Sequence, residues 1–258
     1  MNVLEARVVL RDRTVVDVLD LALRFLVRHG VAYAKLAAIV LPPSFLVTWA
    51  IALSCDSWVW AWAWSLALAP FAAAPFTALA SRLMFEPKAE LREVLGSAAA
   101  ALPRLIAVRF LEGLGAGLGS LAFVLPAVWF LGLFVFTNEV VVLERANVGG
   151  ALARMQRLMS GGGGDSILTV LLLLLLHVMA VLLGDVVGRD VLQDVLEIKA
   201  PASIFTAGGS ALGLAGFWAF VPFAATCRFL LYINVRTRNE GWDVQTRFAA
   251  IATRAEGA

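Results

Sequence analysis

Apolar residues recur at helical spacing near the start of the chain, over residues 14–29. Thr14, with Asp17 three positions later, is a variant of the residue pair that caps a helix N-terminus. The apolar face would carry Val15, Val18, Leu19, Ala22, Phe25 and Leu26, and the charged face Asp17, Asp20, Arg24 and Arg28. This pattern predicts an amphipathic helix that docks on lipid or on a helical bundle, with binding to a partner protein as the alternative.

Long apolar runs follow, and each could form a helix that crosses the hydrocarbon core of a bilayer. The predicted spans are residues 31–53, 59–80, 105–122, 124–143, 167–187 and 204–232. The adjacent Pro42 and Pro43 remove two backbone donors, so we expect a kink or a break in the first span. Pro222 predicts a kink in the sixth span for the same reason.

Tryptophan alternates with small residues at the start of the second span. On a helix this spacing distributes the indole rings around one end of the span, which is typical of an aromatic belt at a membrane interface. A site that stacks a ligand is the alternative, although Asp56 is the one charged residue close by in the sequence. The four residues are Trp58, Trp60, Trp62 and Trp64.

Residues 105–143 are too many for one span, yet they contain no polar loop, so we divide them between Gly119 and Pro126. The segment before them has an apolar stripe that predicts a second surface helix, ended by Pro103. The stripe consists of Leu91, Val94, Leu95, Ala98 and Leu102. Two glycine pairs at a spacing of four should let another helix approach closely, within the monomer or in a dimer. They are Gly113 with Gly117, and Gly115 with Gly119.

A third amphipathic pattern follows the fourth span without a linker, starting at Asn147. Its apolar positions are Val148, Ala151, Leu152, Met155, Leu158 and Met159, with Arg154 and Arg157 on the other side. The run Gly161 to Gly164 then predicts a flexible turn, with Asp165 or Ser166 capping the next helix. A phosphate-binding loop is disfavoured because the run is followed by no Gly-Lys-Ser/Thr and preceded by no strand pattern.

The composition adds that the chain as a whole belongs in a membrane. Of its 258 residues, 61% are apolar and 16% are charged, and the mean hydropathy is +0.85. A soluble domain is nearer half apolar and a quarter charged. The sequence therefore predicts an all-α, polytopic bundle of about six transmembrane helices with cytoplasmic amphipathic helices, forming one domain over residues 1–258. The net charge of +2 gives no support for nucleic-acid binding.

The distribution of basic residues predicts how the chain is oriented. Only Arg189 and Lys199, of the 21 lysines and arginines, fall in loops opposite the termini. The positive-inside rule therefore predicts that both termini are cytoplasmic, with a tail over residues 233–258 that includes a short amphipathic stretch after Glu240. This topology puts Cys55 and Cys227 on opposite sides of the bilayer, so we expect two free thiols.

Three ionisable residues inside predicted spans are candidates for an internal polar site: Arg109, Glu112 and His177. Arg109 and Glu112 are three residues apart and can pair on one helix face, although simple snorkelling to the membrane surface is the alternative. His177 lies in the middle of a leucine-rich span, where it is either a hydrogen-bonded structural residue or part of a functional site. No second ligand stands at metal-binding spacing, so we predict no metal and no cofactor.

Three stretches together resemble a known family. They are LRDRTVVDVLDLALRFLVRHG at residues 10–30, VVVLERANVGGALARMQRLMS at residues 140–160, and FLLYINVRTRNEGWDVQ at residues 229–245. They are similar to the bacterial multi-pass family named after the membrane domain of glycerophosphodiester phosphodiesterases, which is close to uncharacterised six-span proteins. The resemblance implies a protein of the bacterial cytoplasmic, or inner, membrane. It carries over no catalytic residue, because the phosphodiesterase domain of fused relatives is a separate soluble barrel.

These observations favour a non-enzymatic membrane scaffold or accessory subunit of an envelope assembly, whose amphipathic helices bind other membrane or cytoplasmic proteins. The alternative is a transporter of small solutes or lipids, suggested by the proline kinks together with Arg109, Glu112 and His177. An intramembrane enzyme is third, because the sequence has no HExxH motif and no paired intramembrane aspartates. Membrane lipids are expected partners, and a homo-oligomer is possible. A solid bundle interior would favour the scaffold, and a polar cavity at mid-membrane would favour transport.

Overall fold

A computed structural model describes residues 14–86, 88–122 and 124–240, and within these ranges every regular element is helical. The all-α bundle predicted from the sequence is therefore confirmed. The helices are α1 (Val15–Arg28), α2 (Gly30–Ser54), α3 (Trp58–Phe85), α4 (Leu91–Ala122), α5 (Val124–Leu133), α6 (Thr137–Leu143), α7 (Val148–Asp190), α8 (Ile204–Ala207) and α9 (Ala211–Glu240). A π-helical turn at Val191–Val195 follows α7.

Five of the described helices are long and apolar enough to cross a membrane, which makes this a multi-pass membrane protein. They are α2, α3, most of α4, the second part of α7 together with the π-helical turn, and α9. The predicted fourth span, residues 124–143, is divided into α5 and α6 by a turn at residues 134–136. The count of six spans is therefore not confirmed, although the division that we placed between Gly119 and Pro126 matches the end of α4 and the start of α5.

Prolines interrupt these helices less than the sequence suggested. The helix α2 continues through Pro42 and Pro43, and α4 continues through Pro103. The prediction that Pro103 ends a surface helix is wrong, so the amphipathic segment and the third span form one helix. A proline leaves one upstream carbonyl without its donor, whereas ending the helix would leave several carbonyls unpaired. Ala101 and Leu105 on either side are buried, so packing also favours a helix that continues through this point.

The helix α7 contains the glycine run that we predicted to be a turn. It starts at Asn147, whose side chain accepts a hydrogen bond of 2.8 Å from the backbone of Gly150, and continues without interruption to Asp190. Each glycine weakens a helix by about 1 kcal/mol relative to alanine. The predicted turn, and with it the cap at Asp165 or Ser166, is nevertheless wrong. Met155 and Leu158 before the glycines and Ser166 after them are buried, so tertiary packing fixes the helix on both sides.

The sixth span begins later and ends later than predicted. Residues 204–207 form the separate helix α8, which ends at Gly208 in the left-handed conformation with φ of 73°. The helix α9 then runs from Ala211 to Glu240, so the first part of the predicted tail is helical. The rest of that tail, including its amphipathic stretch, lies outside the described residues.

The closest helix crossing is between α7 and α9, at a pair of glycines that the sequence analysis did not select. A Cβ atom on Gly216 would lie 2.3 Å from the carbonyl oxygen of Ala180, and one on Gly184 would lie 2.7 Å from that of Leu212. By contrast, Gly113 and Gly117 have no heavy atom within 4 Å of such a position. The predicted close approach of a second helix at Gly113 and Gly117 is therefore wrong within the described monomer.

The amphipathic segments turn their apolar faces into the bundle. The helix α1 packs against α9 and buries Val18 and Ala22. Its predicted capping pair is confirmed, because the backbone of Asp17 donates a 3.2 Å hydrogen bond to the Thr14 hydroxyl and Thr14 in turn donates to Asp17. The amphipathic starts of α4 and α7 bury Val94 and Met155 in the same core.

The four tryptophans divide into two pairs. Trp60 and Trp64 are 57% and 50% exposed, as an interfacial belt requires. Trp62 faces the opposite way, where its indole nitrogen donates a 3.0 Å hydrogen bond to the carbonyl of Gly208. Trp58 packs against Gly209, whose Cβ position would be 2.5 Å from the ring. The interfacial belt therefore stays a prediction for Trp60 and Trp64, whereas Trp58 and Trp62 attach the segment around α8 to α3.

Candidate intramembrane polar site

A cavity of about 530 Å³ lies inside the membrane-spanning part of the bundle. Its walls come from α3, α4, α7 and α9 and from the segment around the break between α5 and α6. Along α9 the lining extends from Phe217 to Arg228, which lie eleven positions apart and so roughly 16 Å apart at the rise of an α-helix. Most lining side chains are aliphatic or aromatic. All three residues proposed from the sequence, Arg109, Glu112 and His177, line it.

Arg109 and Glu112 form an ion pair on α4 that faces protein. Their side chains are only 13% and 12% exposed. The second terminal nitrogen of Arg109 donates a 2.7 Å hydrogen bond to the side-chain oxygen of Asn138 on α6. The Asn138 amide donates in turn to the carbonyl of Pro70 on α3, also at 2.7 Å. This chain joins three helices, and it places the pair in the interior, in line with the internal site and not with snorkelling.

His177 on α7 is held against α9. Its Nε2 atom lies 3.1 Å from the carbonyl oxygen of Phe217. Because a carbonyl oxygen can only accept, Nε2 carries the hydrogen, and Nδ1 of the neutral ring is left as an acceptor. The imidazole also contacts the rings of Phe217 and Phe220, with centroid distances of 4.3 and 4.8 Å. His177 is therefore hydrogen-bonded, as one of the two alternatives expected, and it also lines the cavity.

Two further ionisable residues belong to this region, and the sequence analysis did not select either. Arg228 on α9 lines the cavity. Glu139 on α6 is fully buried, and its Oε1 atom accepts a 3.3 Å hydrogen bond from the hydroxyl of Thr77. The signal was present in the sequence, because any ionisable residue within an apolar run is a candidate for function. Glu139 lies within the predicted fourth span, residues 124–143, so the same criterion applies to it.

Several polar atoms of this group have no hydrogen-bond partner within the described part of the chain. They are Nε of Arg109, Nε of Arg228 and Oε2 of Glu139. Buried polar groups in proteins are nearly always paired, so atoms left unpaired next to a cavity require an explanation. Arg228 also forms no ion pair within 4 Å in the described ranges, although the charges of Glu139, Arg109 and Glu112 act on it through space.

The exposed lining residues indicate that the cavity opens sideways between α3 and α7. Over the described residues these two helices do not pack extensively against each other, whereas each packs along α9. Side chains that line the cavity here are also exposed on the outer surface of the bundle. They are Leu66 on α3, Leu131 on α5, and Leu174 and Val178 on α7. The rim of the cavity on these helices is therefore aliphatic.

The lining combines mostly apolar side chains with a few ionisable groups, an arrangement suited to binding a ligand. Across the described ranges, no three His, Cys, Asp or Glu side chains converge as a metal site would require. Of the two cysteines, Cys227 is buried and Cys55 is exposed, both as free thiols.

Comparison with known proteins finds no match for this chain. No family model, no curated protein and no solved structure matches the chain. The resemblance to the membrane domain of glycerophosphodiester phosphodiesterases therefore stays a prediction from the three sequence stretches.

Proposed function

We propose that this protein takes an amphipathic molecule from the bilayer into the cavity between α3, α7 and α9, and so acts as a lipid-handling membrane protein. The observation that carries the proposal is the cavity itself. It brings Arg109, Glu112 and His177 from two helices into one mostly apolar chamber. On sequence grounds, a solid bundle interior favours a scaffold and a polar cavity favours transport. The cavity at these three residues therefore supports transport.

The position of the opening favours lipids over water-soluble solutes. The rim between α3 and α7 is aliphatic, with Leu66 and Leu174 62% and 55% exposed. A molecule that enters from lipid through such a rim keeps its apolar part in apolar surroundings throughout. Its polar part reaches the ionisable groups at the far end of the cavity. Ligand sites of this size commonly combine apolar walls with a few polar groups that fix the orientation of the ligand.

The scaffold function remains a second prediction, with less support. It depended on amphipathic helices that offer apolar faces to partners. In the structure, α1 and the starts of α4 and α7 pack those faces on the bundle, where Val18, Val94 and Met155 are buried. The charged outer faces remain available for docking, and α1 also leaves Val16, Leu23 and Val27 exposed beside its charged residues.

Filling the cavity tests the proposal. Ala69 on α3 lines the cavity, whereas Ala67, two residues earlier, is exposed and does not line it. We expect Ala69→Trp to lower the amount of tightly bound lipid at least about tenfold, equivalent to about 1.4 kcal/mol. Ala67→Trp should leave it unchanged. The measurement is native mass spectrometry of protein purified in a mild neutral detergent, with lipids titrated back.

The matched pair separates a ligand in the cavity from lipids around the protein. Both substitutions add the same ring to the same helix, so a general effect on folding or on annular lipid should appear in both. Equal lipid binding by Ala69→Trp, Ala67→Trp and the unchanged chain would contradict the proposed function.

A further inference from the structure

The cavity wall carries a positive charge that no direct ion pair within the described residues neutralises. Two guanidinium groups, those of Arg109 and Arg228, line the cavity together with one carboxylate, that of Glu112. Glu112 is committed to Arg109 through their ion pair. Arg228 has no ion-pair partner within 4 Å among the described residues, and its Nε atom is buried without an acceptor. The lining therefore has one excess cation, and that cation is Arg228.

Glu139 does not remove this excess at the surface of the cavity. Its charge acts on Arg228 through space, but it does not line the cavity and forms no ion pair within 4 Å in the described ranges. Its side chain is directed to Thr77 on α3. A cation held away from water without a direct partner is costly, and it persists in proteins mainly where function needs it.

We propose that the ligand of this cavity is an anionic amphiphile whose acidic head group, a phosphate or carboxylate, pairs with Arg228. This inference rests on the proposed function and names the substrate class for the same site. The guanidinium group offers parallel N–H donors that match two oxygens of a phosphate or carboxylate. The apolar chain of the ligand runs from Arg228 past Ala224 and Val221 toward the opening between α3 and α7.

A cationic ligand fits this wall poorly. The carboxylate of Glu112 is already paired with Arg109, and Glu139 lies behind the wall. A cation in the cavity would meet the unpaired charge of Arg228 first. An anion would instead supply the missing partner, and it would do so in surroundings of low dielectric constant, where such a pair is strong.

Head-group preference is the property that tests the inference. The purified protein in a neutral detergent is titrated with phosphatidic acid or with phosphatidylcholine of identical acyl chains, and bound lipid is counted by native mass spectrometry. Inorganic phosphate is the third probe, added as a competitor. We expect at least tenfold tighter binding of phosphatidic acid than of phosphatidylcholine, and no displacement by millimolar inorganic phosphate. Displacement by inorganic phosphate would overturn the amphiphile in favour of a free anion.

Substitutions at Arg228 assign the preference to this residue. Arg228→Gln should reduce the preference for phosphatidic acid to less than about threefold, and Arg228→Lys, which keeps the charge, should retain most of it. Glu139→Gln removes a competing carboxylate, so it should strengthen the preference. Arg157→Gln, at an exposed position on α7, is the control and should change nothing. A merely structural Arg228 would not give the gain expected from Glu139→Gln.

The outcomes separate this inference from the function on which it rests. If Arg228→Gln does not fold, the paired result for Glu139→Gln and Arg228→Lys still decides, because both retain a positive charge at position 228. Equal binding of the two lipids to the unchanged chain, with binding still abolished by Ala69→Trp, would overturn the anionic ligand and leave lipid handling intact. Failure of Ala69→Trp to affect any lipid would overturn both.

Discussion

Two charged groups in the interior of this protein, Asp185 and Arg228, differ in how many hydrogen-bond and ion-pair partners surround them. Asp185 on α7 is 1% exposed, and its Oδ2 atom accepts hydrogen bonds from the hydroxyl of Ser203 at 3.0 Å and from the backbone of Ile204 at 3.2 Å. Its Oδ1 atom accepts a bond from Ser210 and lies 3.6 Å from a nitrogen of Arg189. Arg228 on α9 has no such set of partners in the described ranges.

We infer from this difference that Asp185 has a structural role, whereas Arg228 binds a ligand. Removing a charge from water costs several kcal/mol, and protein partners must replace the lost hydration. At Asp185 the loop before α9 supplies those partners, so the carboxylate fastens that loop to the end of α7. Arg228 instead lines a cavity and has no ion-pair partner within the described residues. The same physical requirement therefore predicts a stabilising role for Asp185 and a binding role for Arg228.

Removing Asp185 should have the largest effect on stability. In Asp185→Ala, the hydroxyls of Ser203 and Ser210 and the backbone of Ile204 lose their acceptor, and Arg189 loses its counter-ion. We expect a loss of about 3 kcal/mol, which lowers the melting temperature in detergent by roughly 10 °C. Thermal unfolding followed by circular dichroism measures it. Asp190→Ala, at an exposed position five residues later, is the control, and an equal effect of both substitutions would refute the clamp.

Removing the charges at Arg228 and Glu139 together should have a smaller effect of opposite sign. The double variant Arg228→Met with Glu139→Gln takes away two buried charges that have unpaired polar atoms. We expect lipid-free protein to be unchanged or more stable by about 1 kcal/mol, because well-packed neutral groups often replace buried ions without loss. The same unfolding measurement applies. Arg109→Met gives the contrast, since it leaves Glu112 and Asn138 without their partner and should destabilise. A loss comparable to that of Asp185→Ala would show that Arg228 is structural.

The sequence predicted the helices well where hydrophobic periodicity determines the secondary structure. The start of α1, its cap at Thr14 and the limits of α2 follow directly from local pattern. It was a poor guide to where the long helices end. There, Pro103 and the run Gly161 to Gly164 should end helices by propensity, but burial on both sides and the cost of unpaired backbone override them.

The polar site was predictable in part, because ionisable residues in apolar runs are conspicuous. Arg109, Glu112 and His177 were found in this way, but their convergence on one cavity depends on how α4, α7 and α9 pack. That packing is set by long-range contacts such as Gly216 on α9 against Ala180 on α7. No local pattern indicates which glycine pair forms a crossing and which, like Gly113 and Gly117, faces outward.

The central claim, that a bilayer lipid occupies the cavity, is tested most directly by mapping where a lipid touches the protein. The protein is reconstituted with a phosphatidic acid that carries a photoreactive diazirine in its acyl chain, irradiated, digested and analysed by mass spectrometry. The account predicts cross-links concentrated on cavity residues such as Ala69, Leu174 and Val221, and their loss in Ala69→Trp but not in Ala67→Trp. Cross-links spread evenly over the outer surface, with none at Val221 deep on α9, would contradict it.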